Sequence, residues 1–258
     1  MSTTAAFLII GNEILSGRTQ DANLNVLAKK LSDWGVLLKE CRVIADEPPA
    51  IQAAVKHLSE SYTYVFTSGG IGPTHDDITA DNIAEAFGVP LLLDPKAVEL
   101  LENHYKGSDL ELNEARLRMA RIPEGGVHID NPVSSAPGFQ INNVFVMAGV
   151  PRIFAAMLDG LQSRIKGGPP VQSKTIITHK GEGDIAAGLA QIDADFPDVD
   201  AGSYPFMRMG KFGVSIVLKS QDYGQLEAAA EAARAMVRAL GDEPEEPWDT
   251  PNNGQAES

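Results

Sequence analysis

Short apolar runs alternate with amphipathic stretches over the first two-thirds of the chain. Ala6–Ile10 is a continuous apolar run that stops at Gly11, the pattern of a strand buried on both faces. Asp21 is placed to cap the next stretch, where Leu24, Leu27, Ala28, Leu31 and Trp34 recur at helical spacing until Gly35. Val36–Ile44 predicts a second strand. Pro48 or Pro49 then opens a helix, where a missing N–H costs nothing, with Ile51, Val55 and Leu58 as its stripe. Tyr62–Thr67, β-branched and aromatic, predicts a third strand, and a glycine-rich loop leads to a helix from about Ala80 to Gly88. Asp94–Arg121 reads as mostly helical, broken at Gly107-Ser108. Gly138–Ile141 and Val144–Met147 flank Asn142-Asn143, a dipeptide that tolerates positive φ and suits a tight hairpin. Pro151 starts a helix with Phe154, Met157, Leu158, Leu161 and Ile165 on one face.

Strands alternating with helices imply an α/β class, a three-layer arrangement with a mostly parallel sheet covered on both faces. Gly167–Pro170 reads as a linker. After it come a strand (Lys174–His179), a helix (about Asp184–Ala194), strands near Ala201–Tyr204 and Phe212–Lys219, and an Ala-rich helix (Leu226–Leu240). The expected division is therefore residues 1–168, a small α+β unit at 171–241, and a tail at 242–258.

Composition narrows the class. Of the 258 residues, 43% are apolar, enough for a sizeable core, yet no apolar run approaches the ~18 residues of a membrane-spanning helix. The start MSTTAAFLIIGNE lacks the basic region of a secretory signal, so a cytoplasmic protein is expected. The single cysteine, Cys41, excludes an intramolecular disulfide; alternating with apolar neighbours, it is expected in the core. Acids outnumber bases 35 to 21, for a net charge of −14, and no basic stripe is present to neutralise nucleic-acid phosphates. Six acids and no Lys or Arg follow position 241, so this segment is expected to be disordered, with Trp248 undocked.

Candidate chemistry gathers where glycine follows a strand: Gly11, Gly69-Gly70 and Gly149. In open parallel sheets ligands bind beyond the carboxyl ends of the strands. Glycine lets backbone N–H groups approach an anion, which makes a phosphate or pyrophosphate the natural guest. The loop Gly69–Thr79 matches neither a Walker A loop nor G-x-G-x-x-G. Instead Asp76-Asp77 follow the glycines directly. Two carboxylates beside a phosphate cradle repel an anion unless a hard cation such as Mg²⁺ intervenes. The alternative is that Asp76 or Thr79 caps the next helix. Asp46 and Glu47 follow the second strand and Asn12-Glu13 follow Gly11, each able to face the same crevice or to be a solvated loop residue. The five histidines show no metal-binding spacing, although His75 lies inside the key loop. Ser134-Ser135 have no G-x-S-x-G setting, so a serine nucleophile is not expected.

The strings GNEILSGRTQDAN (Gly11–Asn23), VIADE (Val43–Glu47), TSGGIGPTHDDITAD (Thr67–Asp81), SSAPGF (Ser134–Phe139) and AGVP (Ala148–Pro151) resemble the molybdopterin-binding domain. That domain is shared by molybdenum-cofactor biosynthesis enzymes, CinA (competence/damage-inducible protein A) and the N-terminal half of eukaryotic FAD synthase. The likeness covers about residues 5–165. Gly181–Ile192 and Gly202–Phe206 resemble the small KH-like domain that follows in CinA, extending it to about 241.

The resemblance implies a metal-dependent pyrophosphatase acting on ADP-ribose or a dinucleotide such as FAD. Its alternative is a molybdopterin- or nucleotide-binding protein of cofactor biosynthesis, with adenylyl transfer or with no turnover. It assigns Asp77 and Asp46 as the catalytic acids. A divalent metal would lie on Asp46, Asp76, Asp77 and Glu13. The phosphate or nucleotide would lie on Gly11, Asn12, Ser68, Gly69, Gly70, Gly72, Pro73, Thr74, Pro137, Gly138 and Gly149. Molybdopterin as ligand and a homo-oligomer are further expectations. Ala148 stands where the family has proline, and Gly183 where the small domain has serine. The amidase domain of CinA is absent, so deamidase activity is not expected.

Overall fold

A computed structural model of the chain describes residues 2–107, 110–208 and 210–247, which divide after Gly168 into two compact units. In the first unit, β1 (Thr4–Ile10), β2 (Leu37–Ile44), β3 (Tyr64–Ser68), β6 (Val127–Ile129), β7 (Gly138–Ile141) and β8 (Val144–Met147) form one sheet in the order β2-β1-β3-β8-β7-β6. The pairs β1·β2, β1·β3 and β3·β8 are parallel; β7 and β6 add on antiparallel. The carboxyl ends of β1, β3 and β8 therefore come side by side.

Alternation explains why the central strands are apolar without a break. Leu8, Ile10, Val65 and Val146 belong to a core that includes Ile51, Val55 and Leu58 of α3 (Pro48–Ser61), Ile83 of α4 (Thr79–Phe87) and Leu101 of α5 (Pro95–Tyr105). Phe7, Ile9, Phe66 and Phe145 belong to the other, with Leu27 and Leu31 of α2 (Asn23–Asp33) and Phe154, Met157 and Leu158 of α7 (Pro151–Asp159). Phe66 stacks on Phe145 with ring centroids 5.1 Å apart. With side chains buried on both faces, each strand residue gains the full ~1.5–3 kcal/mol of a buried large apolar side chain, which is the mostly parallel α/β class expected.

Local signals are used as read. Asp21 Oδ1 accepts from the Leu24 N–H at 2.8 Å, α3 opens on Pro48-Pro49, and Gly88 ends α4 in the left-handed region at φ 67°. Asn142, φ 50°, makes the hairpin turn. The short elements were not foreseen: α1 (Asn12–Leu15), β6, and the pair β4 (Leu91–Leu93) and β5 (Arg121–Pro123), whose three-residue runs carry no periodicity. The segment 94–121 is less helical than expected. Among the described residues no helix follows α5 until α6 (Glu114–Leu117), which continues as a single 3₁₀ turn, Arg118–Ala120.

One further expectation is corrected. Cys41 is exposed, not in the core, because β2 is an edge strand and its outward positions Lys39, Cys41 and Val43 are uncovered. The boundary between the units falls inside Gly167–Pro170, as read, and its two glycines pack on the first unit. The Gly168 N–H donates to the Gly35 carbonyl at 2.9 Å, and a Cβ on Gly167 would overlap the Trp34 carbonyl oxygen.

The second unit holds β9 (Gln172–Thr178), α8 (Glu182–Asp195), β10 (Asp200–Arg208), β11 (Lys211–Ser220) and α9 (Tyr223–Ala239). Its antiparallel sheet, order β10-β11-β9, is sealed by Ile185, Leu226, Ala229, Ala230, Ala233 and Val237. The reading of everything after 241 as disordered is corrected for its first part. Glu245 exchanges both backbone hydrogen bonds with Ile177, at 2.8 and 2.9 Å, and Arg234 pairs with Glu246. Asp242 Oδ2 accepts from the Thr178 hydroxyl at 2.5 Å and the His179 N–H at 2.7 Å. An edge strand needs a cover, and the acidic segment supplies one to β9. Residues 248–258, Trp248 among them, lie outside the described residues. Among the described residues no helix is long and apolar enough to cross a membrane.

The Thr178 hydroxyl, and after it the His179 N–H, hold the Asp242 carboxyl below the ordinary aspartate value. A lowered folded pKa means the stabilisation is complete above the unfolded value near 3.9 and is lost as pH falls through the folded one. Asp242→Asn is expected to destabilise the second unit by about 1 kcal/mol at pH 7, with the difference shrinking towards zero near pH 2. Thermal melts followed by circular dichroism at the two pH values check this.

Candidate functional site

The turn after β3 sets the geometry. Ser68 is buried at the strand end, and Gly69 and Gly70 follow at φ 104° and 67°. The Gly69 N–H donates to the Met147 carbonyl at 3.2 Å, which carries the β3·β8 pairing into the loop. A Cβ on Gly69 would overlap the backbone oxygen of Ile10, and one on Gly70 would overlap the Thr79 hydroxyl. Thr79, buried at the start of α4, locks this arrangement. Its hydroxyl donates to the Gly69 carbonyl and its N–H to the Gly70 carbonyl, both at 3.0 Å.

The loop closes over itself at Asp77. One carboxylate oxygen, Oδ2, accepts from the Thr74 N–H at 2.8 Å and from its hydroxyl at 2.5 Å. That oxygen lies 2.6 Å from where a Cβ on Gly72 would sit, so the carboxylate occupies the space a side chain would fill. The other oxygen, Oδ1, has no hydrogen-bond partner among the described residues. Asp76 points elsewhere: its side chain is 69% exposed, 3.9 Å from the fully exposed His75.

The β1 and β2 ends are tied together. Asp46 Oδ2 accepts from the Asn12 N–H at 2.8 Å, and the Gly11 N–H donates to the Ile44 carbonyl at 3.1 Å. Asn12 and Glu13 are exposed, with the Glu13 carboxylate folded against Gly11. β1 lies between β2 and β3, so Asp46 and Asp77 do not come from neighbouring strands.

The third turn packs on the second, a Cβ on Gly149 meeting Gly69 Cα at 3.2 Å. Asn23, buried at the start of α2, donates from Nδ2 to the Gly149 carbonyl at 2.8 Å and so fixes the turn from the other side. Asn131 organises the approach to β7. Its Oδ1 accepts from Val133 and Ser134 N–H groups, and its Nδ2 donates to the Ala136 carbonyl at 2.8 Å. Pro137 thereby lines a cleft with Gly70, Ile71, Gly72, Asp77, Arg118 and Arg121. Gly138 has a packing role instead: a Cβ there would overlap the Val146 carbonyl oxygen.

The structure thus brings Gly11, Gly69, Gly70 and Gly149 to adjacent strand ends and sets Gly72, Asp77 and Pro137 around one cleft. It does not gather the four expected metal ligands. Among the described residues no three His, Cys, Asp or Glu side chains converge on one point. Asp46 and Asp77 each keep one carboxylate oxygen free of hydrogen bonds among those residues, but they follow the two strands that flank β1. Arg118, Arg121, Asn23 and Asn131 were missed. Arg118 and Arg121 lie in a segment read only as helix, and single asparagines carry no spacing.

The family described as "Probable molybdopterin binding domain" matches residues 6–166, and that described as "FAD synthase, middle domain" matches residues 170–241. A probable FAD synthase of Caenorhabditis briggsae is 31% identical over 264 residues, covering 91% of this chain and 49% of that protein. The chain thus spans about half the length of that relative. A protein of Pyrococcus furiosus is 32% identical over 257 residues, covering 95% of this chain and 99% of the other. Among solved structures, CinA of Thermoplasma acidophilum, a protein with unknown function, superposes with a TM-score of 0.58 at 32% identity, over 63% of this chain and 98% of that one.

Gly69→Ala is expected to cost about 3 kcal/mol or more, from a positive φ and a backbone overlap that cannot relax. Gly17→Ala, at φ 71° but with nothing within 4 Å, is expected to cost only about 1–2 kcal/mol. Urea denaturation of the two variants separates the contributions.

Proposed function

The chain belongs to the molybdopterin-binding domain family, and from that membership we propose that its first unit binds the phosphoanhydride of ADP-ribose or a related dinucleotide such as FAD and hydrolyses it with a divalent metal. The observation that carries the reading is the meeting of three glycine turns at neighbouring strand ends, with the Asp77 carboxylate lodged over Gly72. Bare backbone at Gly69–Gly72 allows phosphate oxygens to approach N–H groups closely. Water attacks one phosphorus, the bridging P–O bond breaks, and ADP-ribose yields AMP and ribose 5-phosphate.

A bound divalent cation supplies charge neutralisation on the phosphates. Asp77 and Asp46 would hold it through their unengaged oxygens. Thr74 orients the first and the Asn12 N–H the second, so neither side chain has to be ordered when the ligand arrives. The match to the FAD synthase middle domain favours an adenylyl-phosphate ligand in general. It leaves room for a second reading, transfer of AMP to a pterin phosphate or binding without turnover, which uses the same contacts.

Release of AMP from ADP-ribose, assayed with Mg²⁺ and with EDTA, tests the proposal. Asp77→Asn is expected to lower kcat by on the order of a hundredfold or more, about 2.7 kcal/mol of barrier, with the melting temperature little changed. Asp46→Asn should act likewise, and the double variant should lose less than the product of the single losses, since both act through one ion. Full activity in Asp77→Asn overturns the proposal. Saturable nucleotide binding without AMP release replaces it with the second reading.

A further inference from the structure

The connection from Asp94 to Arg121 brings two arginines to the cleft wall that meets Gly70–Gly72. They are not equivalent. Arg121 gives its two terminal nitrogens to the Asp81 carboxylate at 2.9 and 2.8 Å, so its charge is matched. Arg118 has no carboxylate within ion-pair distance among the described residues. Its Nη2 donates to the backbone carbonyl of Asp77 at 3.1 Å, and its Nε is buried with no hydrogen-bond partner. A guanidinium stays protonated and carries five donors in a fixed fork. A buried donor without an acceptor is costly in a folded chain and calls for an explanation at the site.

We propose that Arg118 is the anion-contacting residue of this cleft, taking a phosphate oxygen of a nucleoside diphosphate whose other phosphate lies on the Gly69–Gly72 turn. The inference rests on the phosphoanhydride reading above and names the side chain that makes the site prefer two phosphates to one. The chain carries a net −14, and Asp76 and Asp77 stand beside the glycines, so an entering polyanion meets a repulsive field. Backbone N–H groups offset part of it for one phosphate. A second phosphate needs a full positive charge, and charge-assisted hydrogen bonds are about twice as strong as neutral ones. Held by the Asp77 carbonyl, the guanidinium is already positioned on the loop that bears the glycines.

Calorimetric titration with ADP and with AMP, both in EDTA, tests this in the absence of turnover. Wild type is expected to bind ADP more tightly than AMP. Arg118→Gln is expected to weaken ADP binding by on the order of tenfold or more, to change AMP binding by much less, and to leave the melting temperature within a few degrees. Arg118→Lys, which keeps the charge and loses the fork, should fall between the two for ADP. Unchanged ADP binding in Arg118→Gln overturns the role of Arg118 and leaves the phosphoanhydride reading standing. Equal losses for ADP and AMP with a lowered melting temperature also overturn it, in favour of a purely structural arginine. Wild type binding neither nucleotide overturns the role of Arg118; the phosphoanhydride reading, which includes the metal, then stands or falls on AMP release with Mg²⁺.

Discussion

The close approach of Gly69 to the carbonyl end of β1 is the constraint on which the first unit's site depends. No side chain fits between that backbone and Ile10, and none fits between Gly70 and Thr79. With both glycines in place, Thr79 can return two hydrogen bonds to their carbonyls and begin α4 there, directly beneath the loop. The position of Asp77 follows, because the chain between Gly70 and Thr79 is pinned at both ends and Thr74 takes up its carboxylate within the span. The third turn leans on the same atom set through Gly149. Shape at the site is thus dictated by what is missing from four residues as much as by the side chains present.

A two-sided core makes this geometry tolerable. The residues before each turn are anchored on both faces of the sheet, Phe66 and Phe145 on one and Val65 and Val146 on the other. Strain in the loops is therefore borne by strands that have little freedom to yield. The second unit is organised differently. Its three antiparallel strands have helices on one face, and its free edge at β9 is covered by the segment around Glu245, fixed through Asp242 and Arg234.

Most of the fold was legible because its determinants are local. Capping by Asp21, the Pro48-Pro49 start, the Gly88 stop and the Asn142 turn each act within a few residues. The strands announced themselves by burial on both faces. What escaped was decided at a distance. Cys41 was expected in the core as part of an apolar-ended strand, yet that strand has only one neighbour and leaves Lys39, Cys41 and Val43 exposed. Asp242–Glu246 look like solvated tail in composition, and only the exposed edge of β9 and the partners Thr178 and Arg234 order them. At the site, the glycine turns and Asp77 could be read from one contiguous string. Arg118 and Asn23 could not, since each acts across the fold on a backbone carbonyl that no pattern singles out.

The strand order also bears on how the molecule reaches its folded form. The turns at Gly11, Gly69 and Gly149 belong to strands joined by long crossovers, and β8 must dock on β3 before Gly69 finds the Met147 carbonyl. Parallel, non-local pairings of this kind are slow to form, since loop closure precedes any reward. The turn at Gly69 is therefore not complete on an assembly of β1 to β3 alone; it needs β8 as well. A ligand of the cleft would recognise the completed sheet, and so would stabilise the folded form by mass action and not a partial one.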